Sequence, residues 1–171
     1  MPSRLATGSA RDLVQAERDI RERIGDQHLD FAAMAAVSNI YRAANVVRNH
    51  MERKVLADED LSWAAFTVLF VLWIWGEQQT RHLAVEAGVT KGTLTGVLKT
   101  LEKRGLTRRQ AHDEDGRLVL VSLEPKGEAV IERLFPAFNA GEAQVSSALS
   151  DREKSQLAGL LRKIVRSVEE D

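Results

Sequence analysis

The stretch TRHLAVEAGVTKGTLTGVLKTLEKRGLTRR, residues 80–109, decides the reading of this chain. Two short helical patterns, about Thr80 to Ala87 and Lys91 to Arg104, flank Gly88-Val89-Thr90, and that is helix-turn-helix spacing. Gly88 suits the left-handed position of the turn, and Thr90 can cap the second helix with its hydroxyl. In that second helix Leu94, Val97, Leu98 and Leu101 recur at i, i+3, i+4 and i+7. Lys91, Thr95, Gly96, Lys99 and Lys103 therefore fall mainly on the other side. A helix about 12 Å across fits the major groove of B-form DNA. Short outward side chains allow close approach there, and lysines supply contacts to phosphate or guanine.

Beyond Gly105 the periodicity changes to two, or to continuous apolar residues, over Leu106 to Ala111 and again over Leu118 to Leu123. The intervening His112-Asp-Glu-Asp-Gly-Arg117 makes a charged tip, so the pair reads as a β-hairpin. A hairpin after a recognition-type helix is a wing, and a single arginine at its tip suits the negative potential of a narrow minor groove. Arg117 is that arginine. Asp115 is placed to hold it or the turn, while Arg108 and Arg109 offer phosphate contacts from the base of the hairpin. The candidate DNA-binding residues are thus Thr80, Arg81, Thr90, Lys91, Thr93, Thr95, Gly96, Lys99, Lys103, Arg108, Arg109, Asp115 and Arg117.

Upstream, Leu13, Ala16, Ile20 and Ile24 form one stripe of a short helix that Gly25 can end, and a longer helical pattern runs from about Asp30 to Leu56. Ser62 can cap a third helix whose apolar residues, Trp63 to Trp75, go all the way round, as in the centre of a core. Thirteen residues is well short of the roughly 20 that cross a bilayer, so no membrane partner is expected. Downstream, Pro125 fits the first position of a helix that extends to about Leu149 with a kink at Pro136. Ser150-Asp-Arg-Glu153 is a capping-box sequence. It opens a last helix with Leu157, Leu160, Leu161, Ile164, Val165 and Val168 on one stripe.

The whole is expected to be mainly α with a small β-hairpin wing. Residues 1–28 read as an N-terminal extension with an extra helix, and residues 62–123 as a DNA-binding lobe. Net charge is −1, yet Arg81 to Ala111 holds seven Lys or Arg against two Glu, so one segment is basic in an acidic chain. The chain has no cysteine, which removes disulfides, thiolate nucleophiles and thiolate metal sites, and its four histidines have no i, i+4 spacing. No nucleophile with a base, paired-carboxylate cleft or phosphate-binding glycine loop is present, so neither an enzyme nor a cofactor is expected. The N-terminus lacks the apolar run of a signal peptide, and a cytoplasmic location is expected.

Three motifs, LAVEAGVTKGTLTGVLKTLEKRGLTRR, DEDGRLVLVSLEPKGEAV and LSDREKSQLAGLLRKI, make residues 30 to 170 resemble the MarR family, the multiple-antibiotic-resistance type of bacterial transcriptional regulator. The resemblance implies a winged helix-turn-helix domain over residues 29–171, with helices 29–58 and 125–170 interleaved in a homodimer. It also implies double-stranded DNA with a pseudo-palindromic operator as partner, and repression relieved by a small aromatic or phenolic ligand. Wings of this family often carry Asp-x-Arg-Asp-x-Arg, of which only Asp115 and Arg117 are matched here, and Glu124 replaces the usual hydroxyl residue before Pro125. The extra helix resembles the urate-responsive branch, although residues 1–30 lack the tryptophan that branch uses. The peroxide-sensing branch is excluded by the absent thiol. Two rivals remain. An architectural DNA protein carries a large positive charge, and a winged-helix protein-interaction module presents an apolar outward helix face.

Overall fold

The computed structural model describes residues 10–25, 28–111 and 118–170, which fall into two compact units, residues 1–49 and 50–171. In the first unit, α1 (Ala10–Ile24) closes at Gly25, whose N–H reaches the Arg21 carbonyl at 3.1 Å. Asp30 opens α2 (Phe31–Met51) by accepting the Ala33 N–H at 2.9 Å, the N-cap arrangement that satisfies an otherwise orphaned donor. The two helices are tied through polar side chains. Glu17 accepts a hydrogen bond from Asn39 Nδ2 at 2.9 Å and lies 3.9 Å from Arg42, while the Arg21 guanidinium sits 4.9 Å from the Phe31 ring centre.

The long helical pattern expected to reach Leu56 as α-helix changes form at Met51. A π-helical turn covers Glu52–Leu56 and a 3₁₀ turn covers Ala57–Glu59. Met51 and Leu56 are both fully buried, and a spacing of five returns to one face in a π-turn but not in an α-helix. Glu52, at the start of this turn, accepts the Trp63 N–H at 2.7 Å and so caps the next helix from outside it.

The second unit is built on α3 (Trp63–Trp75), capped by Ser62, whose hydroxyl accepts the Ala65 N–H at 3.2 Å. Its inner residues Phe66, Val68, Leu69, Val71 and Leu72 are buried, whereas Ile74 and Trp75 at its end are exposed. Against it lies α6 (Pro125–Val145), and the aromatic rings of the two helices stack. Phe66 and Phe138 are 3.8 Å apart between centroids and Phe70 and Phe135 5.5 Å, with Trp63 and Trp73 packed at the two ends of the row. Pro136 lies inside α6, whose helix runs from Pro125 through it and ends at Val145, four residues before the expected Leu149.

Between α3 and α6 in sequence come β1 (Gln78–Gln79), α4 (Thr80–Glu86), α5 (Lys91–Lys103), β2 (Thr107–Ala111) and β3 (Val119–Leu123). The expected hairpin is β2 paired with β3, in register from Thr107 opposite Leu123 to Ala111 opposite Val119. The sequence did not show β1, which adds to the other edge of β3 and completes a three-stranded antiparallel sheet in the order β1-β3-β2. The first turn of α6 sits directly on the start of this sheet, with the Glu124 N–H donated to the Leu106 carbonyl at 3.0 Å. Finally, α7 (Asp151–Glu169) opens with a complete capping box. Ser150 Oγ accepts the Glu153 N–H, and the Glu153 carboxylate accepts the Ser150 N–H at 2.8 Å.

The protein is thus mainly helical with a small sheet beside a helix-turn-helix. No described helix is long and apolar enough to cross a membrane.

Candidate nucleic-acid interface

The geometry of the turn follows its sequence. Gly88 has φ +62°, a conformation that strains any residue with a Cβ, and its N–H bonds the Val85 carbonyl at 3.0 Å. Thr90 caps α5 by accepting the Thr93 N–H at 3.1 Å. Leu94, Leu98 and Leu101 are buried beneath α5, and Val97 is half-buried. Lys91, Gly92, Thr93, Thr95, Gly96, Lys99 and Lys103 are exposed, as is Arg81 near the start of α4, and Thr80 is half-buried.

The hydroxyls on this face are set by the helix itself. Thr95 donates its proton to the Lys91 carbonyl at 2.9 Å, which leaves the oxygen lone pairs outward as acceptors. The Thr90 and Thr93 hydroxyls share a hydrogen bond of 2.9 Å. Lys91, Lys99 and Lys103 are exposed and form no ion pair among the described residues. A Cβ added at Gly96 would meet nothing within 4 Å, so the helix backbone there is bare. An approaching duplex would meet hydroxyl acceptors, ammonium donors and accessible main chain.

The two arginines at the base of the wing are placed differently. Arg108 is exposed, and its Nε donates to Ser122 Oγ at 3.0 Å and lies 3.6 Å from Glu124. Arg109 turns to the opposite side of β2, toward α5. Its Nε and Nη2 donate to the two carboxylate oxygens of Glu102, each at 2.6 Å. The hydrogen bonds that the guanidinium donates to Glu102, more than charge alone, raise its pKa above the ordinary value. Asp115 and Arg117, and the rest of the wing tip from His112, lie outside the described residues.

Arg104 escaped the sequence reading. It forks back from the end of α5 to donate to the main-chain carbonyls of Glu59 at 2.7 Å and Asp60 at 2.9 Å, and its own carbonyl accepts Lys126 Nζ at 3.0 Å. Such a contact spans more than forty residues and carries no local signal. Glu59 is held in turn by Arg133 at 2.6 Å. This bracket fixes the C-terminal end of α5, and beside it lies a cavity of about 340 Å³ between Asp60–Ser62 and the Gly96, Val97, Thr100 and Arg104 flank of α5. By contrast Trp63, Phe66, Phe70 and Trp73 are packed on one another and on α6, and Trp75 is exposed. His50 Nε2 is buried without a hydrogen-bond partner among the described residues, and His82 is exposed.

A turn of this geometry, a basic solvent-facing second helix and a hairpin beside it define a winged helix-turn-helix DNA-binding regulator. Comparison with known proteins makes the class specific. The MarR family model matches residues 61–119, and the HTH-type transcriptional regulator YwaE of Bacillus subtilis (strain 168) is 39% identical over 138 residues, 81% of each chain. The chain belongs to the MarR family. Among solved structures, that of Bordetella bronchiseptica BpsR superposes with a TM-score of 0.71 at 25% identity, over 76% of this chain and 98% of that one. DNA binding by BpsR is regulated by 6-hydroxynicotinic acid. A mutant MarR from E. coli complexed with operator DNA shares the fold with a TM-score of 0.72 at 23% identity, over 81% of this chain and 99% of that one.

Proposed function

We propose that this regulator is a cytoplasmic repressor that binds a pseudo-palindromic operator as a homodimer and is released by a small aromatic or phenolic ligand. The observation that carries the reading is the division of α5, with Leu94, Leu98 and Leu101 buried and Lys91, Thr93, Thr95, Gly96 and Lys99 exposed on one helix. In this reading residues 62–123 form the DNA-binding lobe, residues 29–58 and 125–170 the dimerisation helices, and residues 1–28 an extension. The threonine hydroxyls accept hydrogen bonds from base amines, the lysines contact guanine or phosphate, and Gly96 lets the backbone approach the duplex. On this reading Thr80, Arg81, Thr90, Lys103 and Arg108 would add contacts that fix register, and Asp115 and Arg117 would serve the neighbouring minor groove.

The ligand class is supported by BpsR, whose DNA binding is regulated by 6-hydroxynicotinic acid, a hydroxylated aromatic acid, and a half-open cleft of about 340 Å³ against α5 offers room for such a molecule. A ligand there would press on the helix that reads DNA.

Selection of bound sequences from random DNA at fixed salt, followed by footprinting, tests the reading. A discrete protected palindrome is expected, and Lys99→Ala and Arg117→Ala should each weaken binding and lower the salt slope by about one unit. Uniform coverage, or protection unaffected by these variants, would refute it. Addition of hydroxylated aromatic acids to the bound complex should release the DNA, and a complex indifferent to the whole class would remove the ligand part.

A further inference from the structure

Between Ala87 and Ala111 the chain carries one acidic residue, Glu102, among six lysines and arginines. It stands on the last turns of α5, and its carboxylate grips Arg109 of β2 through both Nε and Nη2 at 2.6 Å. That is the edge a guanidinium uses to fork onto a phosphate or a guanine. Arg109 is exposed and Glu102 half-buried, so this is a surface pair, and what sets it apart is its two-pronged geometry, with both carboxylate oxygens engaged. A cation beside the recognition helix is therefore already occupied by an internal anion with the shape and charge of the group it would otherwise seek.

We propose that Glu102 is a specificity-determining residue, which withholds Arg109 from DNA phosphates and so suppresses sequence-independent binding. The inference rests on the placing of α5 in the groove given above. The physics is an exchange. A phosphate can reach Arg109 only by displacing a carboxylate that already satisfies the same two N–H groups, so little is gained. The remaining carboxylate would then face the phosphate backbone. Any duplex, whatever its sequence, offers phosphates, and so an uncovered Arg109 would strengthen random-sequence complexes. On the operator, base contacts fix the register of α5, and freeing Arg109 would remove its brace between β2 and α5. The operator should gain less.

The test is a double-mutant cycle with Glu102→Gln, Arg109→Gln and the pair, measured as the salt dependence of binding to a random-sequence duplex and to the selected operator. Glu102→Gln is expected to steepen the random-sequence slope by about 0.9, one added phosphate contact, which amounts to an extra gain of about eightfold on going from 1 M to 0.1 M salt. The operator-to-random ratio should fall. Arg109→Gln alone should leave the random-sequence slope unchanged, and the double variant should match it. An unchanged slope in Glu102→Gln overturns the proposal, and so does a gain that survives in the double variant, which would mean a general charge effect. A slope reduced by Arg109→Gln alone also overturns it, because Arg109 would then be a phosphate contact already. Thermal melting of each variant, with Glu102→Ala as a second replacement, shows that the folded protein is being compared. Lys99→Ala separates the two levels. If it lowers the slope while Glu102→Gln does nothing, only the inference fails, and if it too does nothing the groove assignment fails.

Discussion

Two glycines show how the same residue type serves opposite ends. A Cβ at Gly127, in the first turn of α6, would run into the Leu106 carbonyl oxygen and lie 2.9 Å from the carbonyl carbon, so the closeness of that helix to the sheet depends on the missing side chain. A Cβ at Gly96 would meet nothing. Glycine within a helix ordinarily costs about 1 kcal/mol against alanine. Gly96→Ala should therefore raise the melting temperature by roughly 2 to 4 °C, the shift expected for that energy in a chain of this size. It should also weaken operator binding, because the added methyl stands where the duplex approaches. Gly127→Ala should destabilise by about 1 to 3 kcal/mol, since main chain cannot rotate aside as a side chain can. Calorimetry and a binding isotherm on the two variants check both, and equal effects on stability would contradict the packing. Sequence could not tell these glycines apart, because each sits in a helical pattern and the difference lies in a neighbour about twenty residues away in one case and in solvent in the other. Arg109 was legible as a basic residue at the base of the hairpin, but its pairing with Glu102 was hidden for the same reason, since a helix end and a strand meet there only through the turn at Gly105.

At the level of elements, what could be read was whatever has a period or a local cap. The leucine stripe of α5, the Thr90 and Ser150 caps and the two strands of the hairpin stand where the pattern put them. The two-residue β1 has no period to detect, and it forms only because β3 offers it an edge. The π-turn at Glu52–Leu56 likewise answers to the burial of Met51 and Leu56 together, a tertiary demand laid on a sequence that locally suits an α-helix. The capping box of α7 has a pH signature of its own. Hydrogen bonds from the Ser150 hydroxyl and then the Ser150 N–H hold the Glu153 carboxyl below its ordinary pKa. A carboxyl depressed on folding contributes stability that is fully present above the unfolded value, about 4.3, and is lost as pH falls through the lower folded value. Wild type should melt above Glu153→Gln at pH 7, and the gap should close below about pH 4. A gap that stays constant down to pH 3 would show that the charge of Glu153 plays no part in the cap.

For the molecule as a whole, the decisive feature is what α7 leaves open. Leu157, Leu160, Leu161, Ile164, Val165 and Val168 follow one stripe and are between 37% and 72% exposed, although the helix has a strong cap and no local reason to be apolar on that side. A contiguous apolar stripe of this kind in contact with water is unfavourable, and a second copy of the chain covers it in the homodimer proposed for this regulator. Two-fold symmetry then sets the DNA target, because two α5 helices entering the same face of a duplex must lie about one turn, roughly 34 Å or 10 base pairs, apart. Leu161→Glu places a charge in the middle of the stripe, where an unpaired carboxylate would have to be desolvated on assembly. The variant should halve the molar mass measured by light scattering while its monomer melts as a folded protein. Its footprint on the selected operator should shrink from two half-sites to weak protection of one, since each subunit keeps its own α5 but loses the partner that doubles the contact. A Leu161→Glu protein that remains dimeric would move the interface off α7. A dimer lost with operator affinity intact would instead mean that one α5 suffices, and that the palindrome is not what the protein reads.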